Sequence, residues 1–94
     1  MIAQELVSQL IESLDAFDSL PPTSEPSLID ATYSRLKTLA DELDGSAVSG
    51  ARKMAVDAIR EGGNAHLKAA LAGNTAALES LKIILTGCAR LLKH

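Results

Sequence analysis

The chain has 94 residues, of which 47% are hydrophobic and only 2% are aromatic. Its fifteen Ala and fifteen Leu residues are strong helix formers, whereas the aromatic residues that favour strands are nearly absent. The net charge is −3, and the basic half of the chain, residues 45–94, has neither a dense Lys/Arg cluster nor an aromatic residue to stack on a base, which argues against nucleic-acid binding. The composition therefore predicts a single all-α domain.

Three features favour a soluble, cytoplasmic protein that does not bind a membrane. No segment reaches the ~20 consecutive apolar residues that a membrane-spanning helix requires. The N-terminal segment MIAQELVSQLIESLD has acidic residues where a signal peptide has basic ones. The only cysteine, Cys88, cannot form an internal disulfide, and the absence of disulfides is typical of a reducing compartment.

The first predicted helix covers about residues 2–20 and ends at the Pro21-Pro22 pair. Apolar residues recur along it at spacings of four and three, the pattern of a helix with one buried stripe. This stripe consists of Ala3, Val7, Leu10, Leu14 and Phe17. Because proline interrupts a helix and disfavours helical backbone in the residue before it, residues 21–26 are predicted to form a linker.

The second predicted helix covers about residues 25–44 and repeats the same spacing. Ser24 or Ser27 is predicted to cap its first turn, and Gly45 follows its last residue. Its apolar stripe consists of Ile29, Tyr33, Leu36, Ala40 and Leu43.

The third predicted helix covers about residues 47–61, and Gly62-Gly63 stops it. Its stripe is made of smaller residues, so we expect it to bury less apolar surface than the first two helices. The stripe consists of Val48, Ala51, Ala55, Ala58 and Ile59.

Residues 65–93 are predicted to form one long helix, although the pair Gly73-Asn74 lies inside it. Glycine costs about 1 kcal/mol relative to alanine in a helix interior, and Gly-Asn is typical of a turn, so local chemistry favours a break. The apolar residues nevertheless keep alternating spacings of four and three residues across this pair. We give this spacing more weight than the local turn signal. The spacing joins Leu67, Leu71, Asn74, Leu78, Leu81, Leu85, Cys88 and Leu92, which we call the leucine ladder.

The side of this long helix that faces away from the leucine ladder carries mostly small residues. A helix that is apolar or small on all sides is normally buried, and the three preceding helices are too short to cover both faces. The sequence therefore predicts a four-helix bundle with a long C-terminal helix, completed by dimerisation or by a helix from a partner. The small side consists of Ala69, Gly73, Ala76, Ser80, Ile83 and Gly87.

The leucine ladder is the predicted interaction site, because leucines at heptad spacing are typical of coiled-coil seams. Asn74 interrupts the ladder, and two explanations stay open: it pairs with Asn74 of a second chain, or it bonds to a neighbouring backbone group of its own chain. The core of a monomeric bundle would give the same ladder. We favour a homodimer or a complex with a protein partner.

The charges are distributed unevenly along the chain. Residues 1–44 contain nine acidic and two basic residues, a balance of −7, whereas residues 45–94 contain three acidic and seven basic residues, a balance of +4. One explanation is that the two halves pack against each other with complementary charge. The other is that the acidic half meets a basic partner.

The stretch NAHLKAALAG, residues 64–73, resembles histidine phosphotransfer domains, which are also small helical bundles. This resemblance implies a signalling domain that carries a phosphoryl group on His66. The sequence around the histidine of those domains resembles His-x-x-Lys-Gly. Here Lys68 follows His66 by two residues, and the next glycine is Gly73. Phosphotransfer through His66 is therefore the alternative function.

No residue pattern indicates a catalytic, cofactor or metal site. Cys88 would need a nearby histidine as base, and His66 lies 22 residues away, about 33 Å along one helix. We therefore predict a protein-binding module, acting as an adaptor, a regulator or a dedicated chaperone, rather than an enzyme. Its mechanism would be the docking of a helix in an apolar groove.

Overall fold

The computed structural model describes residues 3–46, 48–62 and 64–93. Over these residues it contains five α-helices, one π-helical turn and no strand, which confirms the all-α prediction. The helices are α1 (Ala3–Asp18), α2 (Pro26–Asp44), α3 (Ala51–Asp57), α4 (Asn64–Leu71) and α5 (Thr75–Leu92), and the π turn (Ala58–Gly62) extends α3.

The first two helices agree with the predicted boundaries and stripes. Every described side chain of the two stripes is buried, while the predicted start at residue 2 and the side chain of Ala3 lie outside the described residues. The predicted serine caps are wrong, because α2 begins at Pro26 after an extended Glu25 that makes no side-chain cap. Proline suits this position, since its missing N–H would have no partner in the first turn. Ser24 instead donates its Oγ hydrogen to the Pro21 carbonyl at 2.6 Å.

The third helix is shorter than predicted. Its predicted start, at residue 47, lies outside the described residues, and α3 begins only at Ala51. Gly50 precedes it with φ +64°, a backbone conformation that favours glycine. The helix then widens into the π turn, which the spacing of apolar residues did not reveal.

The predicted long C-terminal helix is wrong, because α4 and α5 are separate helices. Gly73 has φ +97°, which a helix interior does not allow, and it closes α4 in a Schellman arrangement. The Gly73 N–H donates to the Ala70 carbonyl at 3.0 Å, and the Asn74 N–H donates to the Ala69 carbonyl at 3.1 Å. The local Gly-Asn signal therefore prevails over the long-range spacing, and the described residues form five α-helices instead of the four predicted.

The core lies between α2 and α5, and α1, α3 and α4 each pack against both of these helices. Phe17 from α1 and Tyr33 from α2 pack edge to face, with ring centroids 5.8 Å apart. From α5, Lys82 donates an Nζ hydrogen to the Leu20 carbonyl, just beyond the end of α1. This bond ties the last helix to the loop that follows the first helix.

Candidate protein-binding surface

Most of the leucine ladder belongs to the core of the chain itself. Leu67 and Leu71 on α4 are partly buried against that core, and Asn74 is exposed. An interaction through the buried members would require the bundle to open, so a monomeric core accounts for the spacing without a second chain. The members that are at most 2% exposed are Leu78, Leu81, Leu85, Cys88 and Leu92.

Asn74 caps the first turn of α5. Its Oδ1 accepts a hydrogen bond of 3.1 Å from the Ala77 N–H, one of the free amide groups at the start of the helix. This confirms the explanation in which Asn74 bonds to the backbone of its own chain. Pairing of Asn74 with Asn74 of a second chain stays a prediction, although the exposed side chain already has this partner within its own chain.

The side of α5 that faces away from the core is exposed. We call Glu79, Ile83, Thr86, Gly87 and Arg90 the outer face of α5. Ile83 lies near its middle and is 73% exposed, the highest value among the large hydrophobic side chains described. The predicted burial of this side is therefore wrong within one chain.

Space is open around Gly87. A methyl group added at Gly87 would meet no atom within 4 Å. The outer face forms an open depression whose further wall includes Asp18 from the end of α1 and Lys82. An apolar side chain, a small residue and a charged rim therefore occur together at one position on the surface.

The charged side chains of this depression differ in their exposure and in the contacts that they make within the chain. The Lys82 side chain is only 11% exposed, because its Nζ bonds to the Leu20 carbonyl and lies 3.8 Å from Glu79 Oε1. Glu79 is 59% exposed, and Arg90 makes no ion pair within the described part of the chain. Glu79, Arg90 and the exposed Asp18 are thus the members of the rim whose charges a partner can reach.

Some acidic residues of the first half form ion pairs with basic residues of the second half, at the end of α2. Asp44 contacts Lys53 Nζ at 2.7 Å and Arg60 Nη1 at 2.8 Å, and Arg60 Nε lies 2.7 Å from Asp41 Oδ1. The hydrogen bond from Lys53 lowers the pKa of Asp44, and the same bond raises the pKa of Lys53. These contacts support complementary packing of the acidic and basic halves. They leave the carboxylates of α1 exposed.

Tyr33 and Cys88 place a hydroxyl and a thiol in the apolar core. The Tyr33 hydroxyl donates to the Ile59 carbonyl in the π turn at 2.6 Å. Burial, with a smaller contribution from Cys88, raises the pKa of Tyr33 to about 12. Burial also raises the pKa of the Cys88 thiol, which disfavours the nucleophilic thiolate.

The remaining chemistry-bearing residues lie apart from one another. His66 is half-buried on α4, and Lys68 is exposed. Among the described residues, no group of three or more His, Cys, Asp or Glu side chains is arranged to hold a metal ion. Within the same residues, no helix is both long and apolar enough to cross a membrane.

The sequence pattern predicted that Ile83 and Gly87 belong to a small, buried side, whereas both are surface residues. One signal was available in the charges. Glu79 and Arg90 are eleven residues apart, which is close to three full helical turns and puts both on the side of Ile83. A stripe bounded by two charges of opposite sign is more typical of an exposed face than of a buried one.

No family model, curated protein or solved structure matches this chain significantly.

Proposed function

We propose that the chain is a small helical protein-binding module whose contact surface is the outer face of α5. The observation that carries this proposal is the 73% exposure of Ile83 inside an open depression. An apolar centre within a charged rim is the usual anatomy of a protein interface. Gly87 beside it leaves room for a side chain or a helix of a partner.

The mode of binding that suits this surface is a helix laid along α5. The outer face presents residues at spacings of three and four over about three turns, which is the repeat with which a second helix makes contact. The rim offers Glu79 and Arg90, so a partner helix would carry an apolar residue between charges of both signs. An adaptor, a regulator or a dedicated chaperone in the cytoplasm would use such a contact. The exposed carboxylates of α1 would add attraction for a basic partner.

Site-specific photocrosslinking tests the proposal. A benzophenone-bearing residue is placed at position 83, and a matched one at position 28, where Leu28 is also a large exposed hydrophobic residue, at 49%. After irradiation of living cells, we expect protein adducts from position 83 and far fewer from position 28. Equal yields from both positions, or no protein adduct from position 83, would contradict the proposal.

The alternative, phosphotransfer through His66, gains no support from the geometry around this residue. His66 is half-buried in a helix of only eight residues, and its neighbour Lys68 departs from the motif spacing. It stays a prediction with its own test, given in the Discussion.

A further inference from the structure

We infer that the partner of the outer face of α5 is a second copy of this chain, packed with its α5 antiparallel to the first. This inference rests on the proposed function, since it names the occupant of the same surface. It differs from a dimer built on the leucine ladder, whose side chains fill the core of each monomer. Under a twofold rotation, the outer face is complementary to itself.

The positions of the charges supply the first part of the argument. Successive helix residues turn by about 100°, so Glu79 and Arg90 point within about 20° of each other and lie about 16 Å apart along the axis. A twofold axis passing midway between them brings Glu79 of one chain opposite Arg90 of the other. The same rotation brings the first chain's Arg90 opposite the second chain's Glu79. Each contact thus occurs twice, as an isologous interface requires.

The inner residues obey the same symmetry. The midpoint of Ile83 and Thr86 coincides with the midpoint of Glu79 and Arg90, so Ile83 of each chain faces Thr86 of the other. Gly87 has free space above its Cα and lets the second Ile83 approach the backbone. The exposed isoleucine therefore loses its contact with water against Thr86 of the opposing helix, beside the space left by Gly87.

A parallel pairing lacks this match. In that arrangement Glu79 would face Glu79, and Arg90 would face Arg90, so both ends of the contact would repel. Within one chain Glu79 and Arg90 are too far apart to pair, because about 16 Å separates them along the helix. Between two chains, Glu79 and Arg90 therefore become partners in the antiparallel arrangement and not in the parallel one.

The contact is small, and we expect weak association. One face of one helix gives an interface at the low end of the known range, below about 1,200 Å² in total, which is typical of weak association. We expect dissociation constants of tens to hundreds of micromolar, so both monomer and dimer are populated between about 10 µM and 1 mM.

Charge reversal followed by analytical ultracentrifugation tests the inference with the full chain. In the homodimer of Glu79→Lys both contacts become Lys opposite Arg, and in that of Arg90→Glu both become Glu opposite Glu. We expect each variant alone to associate about tenfold or more weakly than the wild type, because two exposed pairs change from attraction to repulsion. An equimolar mixture of the two variants has attractive charges at both contacts, and we expect it to form a heterodimer about as tight as the wild-type homodimer.

Matched controls separate this effect from a change in net charge. Glu12→Lys on α1 and Lys68→Glu on α4 make the same changes at exposed positions away from the outer face, and they should leave the dissociation constant unchanged. Helicity measured by circular dichroism verifies the fold of each variant, and Ile83→Ser gives a second, uncharged route to the monomer.

The outcomes are distinct. A wild-type chain that stays monomeric at about 1 mM overturns self-association; crosslinks from position 83 to a different protein would then leave the proposed function standing. A dimer that ignores both charge reversals, or a mixture that fails to recover association, overturns the antiparallel register. Loss of all protein crosslinks from position 83, together with a monomer, overturns both proposals.

Discussion

The hydroxyl of Tyr33 donates a hydrogen bond of 2.6 Å to the backbone carbonyl of Ile59, across 26 positions of the sequence. Ile59 lies in the π turn, where the regular helical hydrogen-bond pattern is interrupted. A side chain of α2 therefore satisfies a buried acceptor that the widened helix presents. The bond joins α2 to the segment that follows α3.

Removing this hydroxyl should destabilise the protein. We expect Tyr33→Phe to lower the free energy of unfolding by about 1–3 kcal/mol, because it leaves the buried Ile59 carbonyl without its partner. Urea unfolding monitored by circular dichroism measures the change. Because the ring is retained, a loss much smaller than this would mean that water or another donor reaches the carbonyl.

Tyr33 should also make the fold sensitive to alkali. Its pKa is raised from 10.0 to about 12 in the folded state, so the folded protein holds the proton more tightly than the unfolded chain does. This contribution is complete below pH 10 and is lost as the pH rises toward 12. Lys53, whose pKa is also raised, acts in the same direction. Between pH 10 and 12 the wild type should therefore lose more stability than Tyr33→Phe, when both are compared by urea unfolding.

The ion pairs of Asp44 should stabilise the fold at neutral pH but not in acid. The pKa of Asp44 is lowered in the folded state, so its contribution is present above its ordinary value of 3.8 and is lost as the pH falls through the folded-state value. Asp44→Asn should be less stable than the wild type at pH 7, and the difference should shrink toward pH 2. The exposed Glu42→Gln serves as control and should show a smaller difference at pH 7. An unchanged difference in acid would contradict the prediction.

Two glycines, one before α5 and one inside it, should respond to alanine in opposite directions. Gly73→Ala should destabilise the protein by about 1–2 kcal/mol, since φ +97° is strained for any residue with a Cβ. Gly87→Ala should stabilise it by up to about 1 kcal/mol, since Gly87 lies inside α5 with open space around it. Thermal melts of dilute samples compare the two variants. Stabilisation by Gly73→Ala would restore the continuous helix that the leucine ladder predicted.

His66 should be dispensable for protein binding. We expect phosphoryl donors to leave no acid-labile label on the chain, and His66→Ala to keep the crosslinking yield from position 83. His66 is on α4 and outside the depression on α5, which is the physical reason for this expectation. Acid-labile phosphate on the wild type that His66→Ala abolishes would favour the phosphotransfer alternative.

The spacing of the apolar residues and the Pro and Gly residues that end helices predicted α1 and α2 well. Each of these helices has a single buried stripe and is followed by such a residue. The prediction failed at Gly73, where Leu71 and Leu78 keep a spacing of seven although a turn separates them. Spacing records which residues are buried but not the sign of a backbone angle, so two helices packed on one core imitate one helix. The π turn after Asp57 was not predicted for a related reason. One extra residue per turn hardly changes the spacing of apolar residues in so short a segment.

The candidate surface was harder to predict than the core. The sequence identified the side of α5 that bears Ile83 and Gly87 but assigned it to the interior, since apolar and small residues are normally buried. Whether such a face is covered depends on the length and position of the other helices. These follow from the tertiary arrangement and not from the segment itself.

Tyr33 is the only tyrosine of a chain that has no tryptophan, and it lies fully buried against Phe17 and the π turn. Its ultraviolet fluorescence therefore comes from one known place in the molecule, without an added dye. Emission from this ring and the helical dichroism of the whole chain should change together if the bundle melts as one cooperative unit. An earlier change in emission would identify the junction between α2 and the π turn as the part that opens first.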